Sequence, residues 1–187
     1  YSQVSASKGR DLAEKIEEEG IVLVKNDGLL PLSTKKHEAV NLFGFGTVQW
    51  IYGGSGSGRV LPQSDNYDDN TDFAFAMDDY GIDINYDLID YYRDYATITH
   101  DINTLNFNAD ESPYSFGLKE PDIHQADYAS LLEDSISFSD TAIVTISRQG
   151  GESEDMPTVQ YKSKPIETID NSRHSLEIST EEEDLLN

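Results

Sequence analysis

The sequence predicts an α/β fold, a three-layer α/β/α sandwich on a mostly parallel sheet. Apolar runs of strand length, Ala39-Val40-Asn41-Leu42-Phe43, Ile82-Asp83-Ile84-Asn85-Tyr86 and Thr141 to Ser147, alternate with segments of helical periodicity. That is the spacing of βαβ units. A length of 187 residues suits one domain with a real core and leaves no room for two large ones. Three strands are few for an open sheet of this kind, so the chain is expected to be an incomplete copy of its domain.

In chain order, Ser5 caps a helix through Asp11-Leu12-Ala13-Glu14-Lys15-Ile16, with Leu12, Ile16 and Leu23 on one face. Gly20 is its end or a weak point within it. Ile21-Val22-Leu23-Val24 fits a strand or a continued helix, and Asn26-Asp27-Gly28 is a turn. The strand at 39–43 runs into a Gly-rich loop that lasts to about Val60, and Asp65 to Asp72 is polar loop. Thr71 to Tyr80 is expected as a short helix with Phe73, Ala76, Met77 and Tyr80 inward, ended by Gly81. Asp87 is placed as the cap of a helix through Leu88, Ile89, Tyr92 and Tyr95. Residues 97–121 read as an irregular insertion, Asp127 to Ser135 as helix, and 141–147 as the strongest strand. Residues 157–176 read as a second irregular, polar insertion, and Ser179-Thr180-Glu181-Glu182-Glu183 as a capping-box helix start.

Composition narrows the chemistry. The net charge is −23, from 36 acidic and 13 basic side chains, a field that repels nucleic acid and anionic membrane. With no cysteine, disulfides, cysteine–zinc sites and thiol nucleophiles are excluded. No apolar run approaches a membrane span and no signal peptide is visible. The chain opens on Tyr1 and closes on Leu185-Leu186-Asn187 in what reads as the first turns of a helix, so an excised segment is expected. No cofactor or metal is expected.

In a parallel sheet, ligands meet the loops at the carboxyl ends of the strands. Two such loops have unusual composition. One follows Phe43 and carries Gly44-Phe45-Gly46, Trp50, and Gly53-Gly54-Ser55-Gly56-Ser57-Gly58-Arg59. The other follows Ser147: Arg148-Gln149-Gly150-Gly151-Glu152-Ser153-Glu154-Asp155-Met156. The glycine loop is not a phosphate cradle. A P-loop ends in Gly-Lys-Ser/Thr, whereas Gly58 precedes Arg59-Val60, and Arg59 stands where a dinucleotide fingerprint needs its third glycine. A tight turn, or a backbone packed closely against another domain or a sugar, fits better. In the acidic loop, crowding of Glu152, Glu154 and Asp155 raises a carboxyl's pKa, and Arg148 lowers it. A glutamate with a raised pKa is what a general acid needs. Spacing alone leaves open that an acidic chain simply has acids in this loop.

Other constellations carry less. His37, His100, His124 and His174 lie far apart without ligand spacing. Asp68 to Asp72 has calcium-loop composition, but Phe73 occupies the glycine position and Asp79 that of the bidentate glutamate. Tyr92 and Tyr95, at helical spacing, read as core or core rim rather than a sugar platform.

Taken together, the segments Glu19 to Leu32 (EGIVLVKNDGLLPL), Gly53 to Gly58 (GGSGSG) and Ile146 to Glu152 (ISRQGGE) resemble the α/β sandwich domain of glycoside hydrolase family 3, the β-glucosidase-type family. Their order and spacing along nearly the whole chain fit too. The resemblance implies that residues 1–187 are that sandwich, truncated before its last strands, with a (β/α)8 barrel of the parent protein as partner and a β-linked glycoside as substrate. It implies hydrolysis with retention, an aspartate nucleophile on the barrel, and Glu152 reaching across as general acid/base. Arg148, Gly151, Glu154, Asp155, Trp50, Gly54, Ser55, Gly56, Ser57 and Gly58 are then substrate or interdomain loop. Ser153 and Met156 depart from the family pattern of glycine and arginine. The insertions resemble large Gram-positive bacterial members in which the sandwich precedes the barrel, which favours an extracellular or surface-anchored parent over a cytoplasmic one. A carbohydrate-binding module and a purely supporting sandwich are the alternatives.

Overall fold

The computed structural model describes residues 3–32, 38–48, 50, 73–98, 120–148, 158–162 and 168–187. The chain forms two compact units, Tyr1–Ser33 and Thr34–Asn187. The first holds helix α1 (Gln3–Gly20), which stops at its glycine, with Ile21 N–H closing the last turn on Glu17 O at 3.0 Å. Residues 21–24 belong to neither helix nor strand, which resolves the ambiguity of that apolar run. Asn26 builds the turn that follows: its Oδ1 accepts from Gly28 N–H (3.0 Å) and Leu30 N–H (3.2 Å), and its Nδ2 donates to Leu30 O (2.9 Å).

The second unit is α/β, as expected. Its sheet consists of β1 (Ala39–Phe43), β2 (Asp83–Ile84) and β3 (Ala142–Val144) in the order β2-β1-β3, all parallel. Alternate residues of a strand face opposite sides. In β1 both sides are buried, Val40 and Leu42 on one and Asn41 and Phe43 on the other, as a central parallel strand requires. β1 has the span expected of it, and β2 and β3 are shorter than expected, for local reasons. Asn85 leaves β2 to start a helix, and β3 loses its ladder where β1 ends, the last bond being Thr145 N–H to Phe43 O at 2.9 Å.

Four helices belong to this unit among the described residues: α2 (Phe73–Asp79), α3 (Tyr86–Ile98), α4 (Ala126–Phe138) and α5 (Thr180–Leu186). Gly81 ends α2 as expected, at φ 79°, with Gly81 N–H on Asp78 O and Ile82 N–H on Met77 O. Tyr80 was expected inward but lies in this terminating turn and is 74% exposed; Ala74 is the buried side chain of α2. The cap of α3 is Asn85, not Asp87. Its Oδ1 accepts from Leu88 N–H at 3.4 Å, while Leu88, Ile89 and Tyr92 form the wholly buried face. The α5 capping box is present, with Ser179 Oγ accepting from Glu182 N–H (3.1 Å) and Glu182 Oε2 from Ser179 N–H (2.8 Å).

The stretch read as irregular over 157–176 contains an antiparallel pair, β4 (Gln160–Lys162) and β5 (Thr168–Asp170). Gln160 is wholly buried, and its Nε2 donates to His174 O (3.0 Å) and Glu177 O (2.8 Å). Residues 97–98 close α3, and residues 99–119 lie outside the described residues.

Gly44 is where this sheet tolerates least. It sits at φ 93°, and a Cβ there would lie 2.1 Å from Thr145 O, inside the β1–β3 junction. Gly81 has a similar angle but open space around it. Gly81→Ala is therefore expected to cost only the left-handed strain of about 1–2 kcal/mol, and Gly44→Ala clearly more, because two strands must also part. Urea denaturation of the two variants checks the order.

Candidate functional site

Parallel pairing of Phe43 with Val144 ends β1 and β3 at the same level, so the chain leaves both at one edge. The two departures are stitched together. Thr47 Oγ lies 2.9 Å from Thr145 Oγ and donates to Phe43 O at 3.0 Å, within a single 3-10 turn, Phe45–Thr47. The Cβ that Gly46 lacks would come within 3.2–3.3 Å of Thr145 Oγ and Ser147 Oγ. Thus Gly44–Val48 and Thr145–Arg148, the described starts of the glycine loop and the acidic loop, run side by side.

Arg148 was expected to act within the acidic loop. Its guanidinium instead faces the N-terminus of α5. NH1 and NH2 donate to Glu182 Oε1 and Oε2, both at 2.6 Å; Nε donates to Ser175 O (2.8 Å), NH1 also to Ser147 O (2.9 Å), and NH2 also to Glu177 O (2.7 Å). All five donors of the fork are thereby used. The pair is largely buried, 14% and 8% exposed. Arg148 ties the end of β3 to α5.

A second cluster at the same edge was not read from the sequence. Glu120, just before Pro121, is buried, and it splits its carboxylate between two donors. Oε2 accepts from Phe45 N–H (2.8 Å) and Oε1 from Tyr92 O–H (2.7 Å). Tyr92 Oη also accepts from Gly44 N–H (2.9 Å) and lies 2.7 Å from Tyr128 Oη. Because Tyr92 gives its one proton to Glu120, Tyr128 is the donor between the tyrosines. Burial pushes the Glu120 carboxyl up to about 7 against its two hydrogen bonds, and Glu182 and Glu181 push it further the same way. Burial likewise drives the Tyr92 and Tyr128 hydroxyls up, and Tyr91 to about 12. Tyr91 packs on Tyr128 at 4.9 Å and stacks on Tyr95 at 6.3 Å. No local motif marks Glu120, since its partners lie 28 and 75 residues away.

Trp50 is 46% exposed and stacks on Phe73 at 5.6 Å with an interplanar angle of 18°. Gly54, Ser55, Gly56, Ser57, Gly58, Gly151, Glu152, Glu154 and Asp155 lie outside the described residues, as do His37, His100 and the acidic run from Asp68 to Asp72. Exposed His124 is 3.6 Å from Asp184, and His174 Nδ1 accepts from Leu176 N–H at 3.2 Å. Among the described residues no group of His, Asp and Glu is arranged to hold a metal, and no helix is long and apolar enough to cross a membrane.

No family model matches the chain. Over 143 residues it is 34% identical to β-glucosidase A of Butyrivibrio fibrisolvens, covering 72% of this chain and 14% of that protein. Over 148 residues it is 28% identical to a β-glucosidase of Ruminococcus albus, covering 76% and 14%. Among solved structures it is similar to β-glucosidase 3B from Thermotoga neapolitana. The complex with α-D-glucose gives a TM-score of 0.60 at 24% identity, over 82% of this chain and 20% of that one. The complex with glucose gives 0.57 at 26%, over 83% and 20%. The chain thus spans about one seventh of the curated relatives it matches.

If Arg148 is structural, breaking its pair is expensive. Arg148→Met leaves Glu182 buried without its cation and should cost about 3–5 kcal/mol. Arg148→Met with Glu182→Leu should recover a substantial part of that loss, as a double-mutant cycle in urea reads directly.

Proposed function

From the premise that this chain is a β-glucosidase-like domain of the glycoside hydrolase family 3 type, we propose that it is the non-catalytic-alone portion of a retaining β-glycosidase. It supplies the general acid/base loop and part of the substrate site to a separate (β/α)8 barrel of the same parent, and residues 1–187 belong to its sandwich. The observation that carries the reading is the shared edge. Two loops that the resemblance assigns to the substrate start in contact at the carboxyl ends of adjacent parallel strands, which is where such sheets hold ligands. The relatives, both β-glucosidases, point the same way.

In this reading Glu152 protonates the leaving oxygen and later deprotonates water. Retention puts its carboxyl about 5–5.5 Å from the barrel nucleophile. Glu154 and Asp155 share its local charge, and Trp50, half-exposed and stacked on Phe73, is available to a sugar on its other face. The pairing of Arg148 with Glu182 favours a supporting role for that one residue. If supporting roles extended to the whole loop, the domain would be a scaffold and the acid would lie on the barrel.

The purified chain alone should hydrolyse no chromogenic β-glucoside, since the nucleophile belongs to the barrel; robust turnover free of host enzyme would refute this.

Within the complete parent, Glu152→Gln should slow disaccharide cleavage on the order of 10²–10⁴-fold. The first step on an activated aryl glucoside, whose leaving group needs no proton, should suffer far less. Azide should restore turnover as the glycosyl azide, while Glu154→Gln and Asp155→Asn should leave both steps near normal. Wild-type disaccharide cleavage by Glu152→Gln would move the acid elsewhere.

A further inference from the structure

We propose that Glu120 is a positioning residue and a proton-sensitive clamp, which fixes the Gly44–Thr47 turn at the carboxyl end of β1 and changes the strength of its hold with its own ionisation. The geometry carries the first half. A buried carboxylate spans two points of one turn, gripping Phe45 N–H directly through Oε2 and Gly44 N–H indirectly through Tyr92. These are the first two amides after β1, and Gly44 has no room to relax toward Thr145. The clamp goes beyond the glycosidase reading and stands whether or not Glu152 is the acid.

The second half follows from what surrounds the carboxyl. From α3 it meets Tyr92, with Tyr91 and Tyr95 behind; from α4, Tyr128, with Asp127 acting on Tyr91. On its own segment is Asp122, which acts on Tyr91 and Tyr95. From α5 come Glu181 and Glu182, the latter already paired with Arg148. The charged groups that act on Glu120 are thus acidic, and its partners are neutral donors. Burial and these acids raise the carboxyl to about 7. A neutral acid cannot present two acceptors as strong as a carboxylate's. A proton on Oε1 turns that oxygen into a donor toward Tyr92, which must then donate to Tyr128. Phe45 N–H is left with an uncharged carbonyl. Nothing is transferred to a substrate; one proton is taken up and two hydroxyl hydrogens reverse.

The sign of the stability effect can be fixed. An acid raised from 4.5 to about 7 by folding binds its proton more tightly in the native state. Its contribution is therefore fully present below pH 4.5 and is lost as pH rises to 7, by roughly 10²-fold in the folded-to-unfolded ratio. Local grip and global stability run oppositely, because ionisation strengthens the bonds to the turn and carries the cost of a buried charge.

The test is a titration of the ¹⁵N-labelled full chain from pH 5 to 9. The Phe45 amide proton should move downfield as pH rises, with a midpoint near 7, and Gly44 should follow with the same midpoint. In Glu120→Gln both transitions should vanish, and the fall in urea midpoint between pH 4.5 and 7 should be smaller than in wild type. In Tyr92→Phe the Gly44 transition should shrink while that of Phe45 remains. His124→Gln should leave the midpoint in place. A Phe45 amide that stays flat across this range in the wild-type chain overturns the proposal, and so does a transition that survives in Glu120→Gln. Should Glu120→Gln fail to fold, the wild-type Phe45 and Gly44 curves decide.

Discussion

The side-chain amide of Asn41 holds the helices to the sheet. Its Nδ2 donates to the carbonyls of Ser135 and Ser139, both at 2.9 Å, at the end of α4. Its Oδ1 accepts from Asn85 Nδ2, also at 2.9 Å, at the start of α3. Asn85 in turn reaches Ser135 Oγ at 3.2 Å, and Ser139 Oγ donates to Ala39 O. A central parallel strand ordinarily carries apolar side chains here. An amide in that place has to be fully satisfied, because an unpaired buried polar group costs about 1–3 kcal/mol. Satisfaction is possible only with α3 beginning and α4 ending beside the same residue of β1.

The consequences reach the functional edge. With the start of α3 and the end of α4 fixed at Asn41, Tyr92 and Tyr128 meet beyond the end of β1, where their hydroxyls lie 2.7 Å apart. Their meeting point is also where Gly44 and Glu120 arrive. Two buried polar clusters thus flank the end of β1, an amide cluster at Asn41 and a phenol–carboxylate cluster at Gly44. Arg148 and Glu182 do similar work for β3, fixing its exit against α5. Each exit from the sheet is set by a buried polar contact, whereas the strands themselves are only two to five residues long.

Much of this was legible in the sequence, and for definable reasons. The α/β class, the positions of β1 and β3, the buried face of α3 and the α5 capping box all follow from patterns spanning a few residues. Gly81 and Ser179 announced themselves by residue type. What escaped depended on distant partners. Asn85 rather than Asp87 caps α3, because Asn85 is also held by Asn41, 44 residues away. Arg148 looked like a loop cation until α5 supplied its partner 34 residues on. The β4–β5 pair escaped because each strand is only three residues long, too short for a period to show, and wholly buried Gln160 is polar. Glu120 sat at the end of a stretch with no periodicity at all, and only the fold reveals its burial.

The two buried acids bear on how a pH profile of the proposed parent glycosidase would be read. Two glutamates are buried among the described residues, Glu120 and Glu182. Glu182 is paired with a guanidinium and caps a helix. Glu120 has phenols and an amide instead of a cation, and it is pushed up to about 7. A pKa near 7 is also the signature sought for a general acid. Glu120 contacts the turn that leaves β1, and the segment leading to Glu152 leaves β3 at the same edge, so a midpoint near 7 in kcat/KM would not identify the proton donor by itself. Leaving-group dependence does separate them. A general acid matters most for poor leaving groups, whereas a clamp on the Gly44 turn would act on the proposed enzyme's substrates to a similar degree whatever the leaving group.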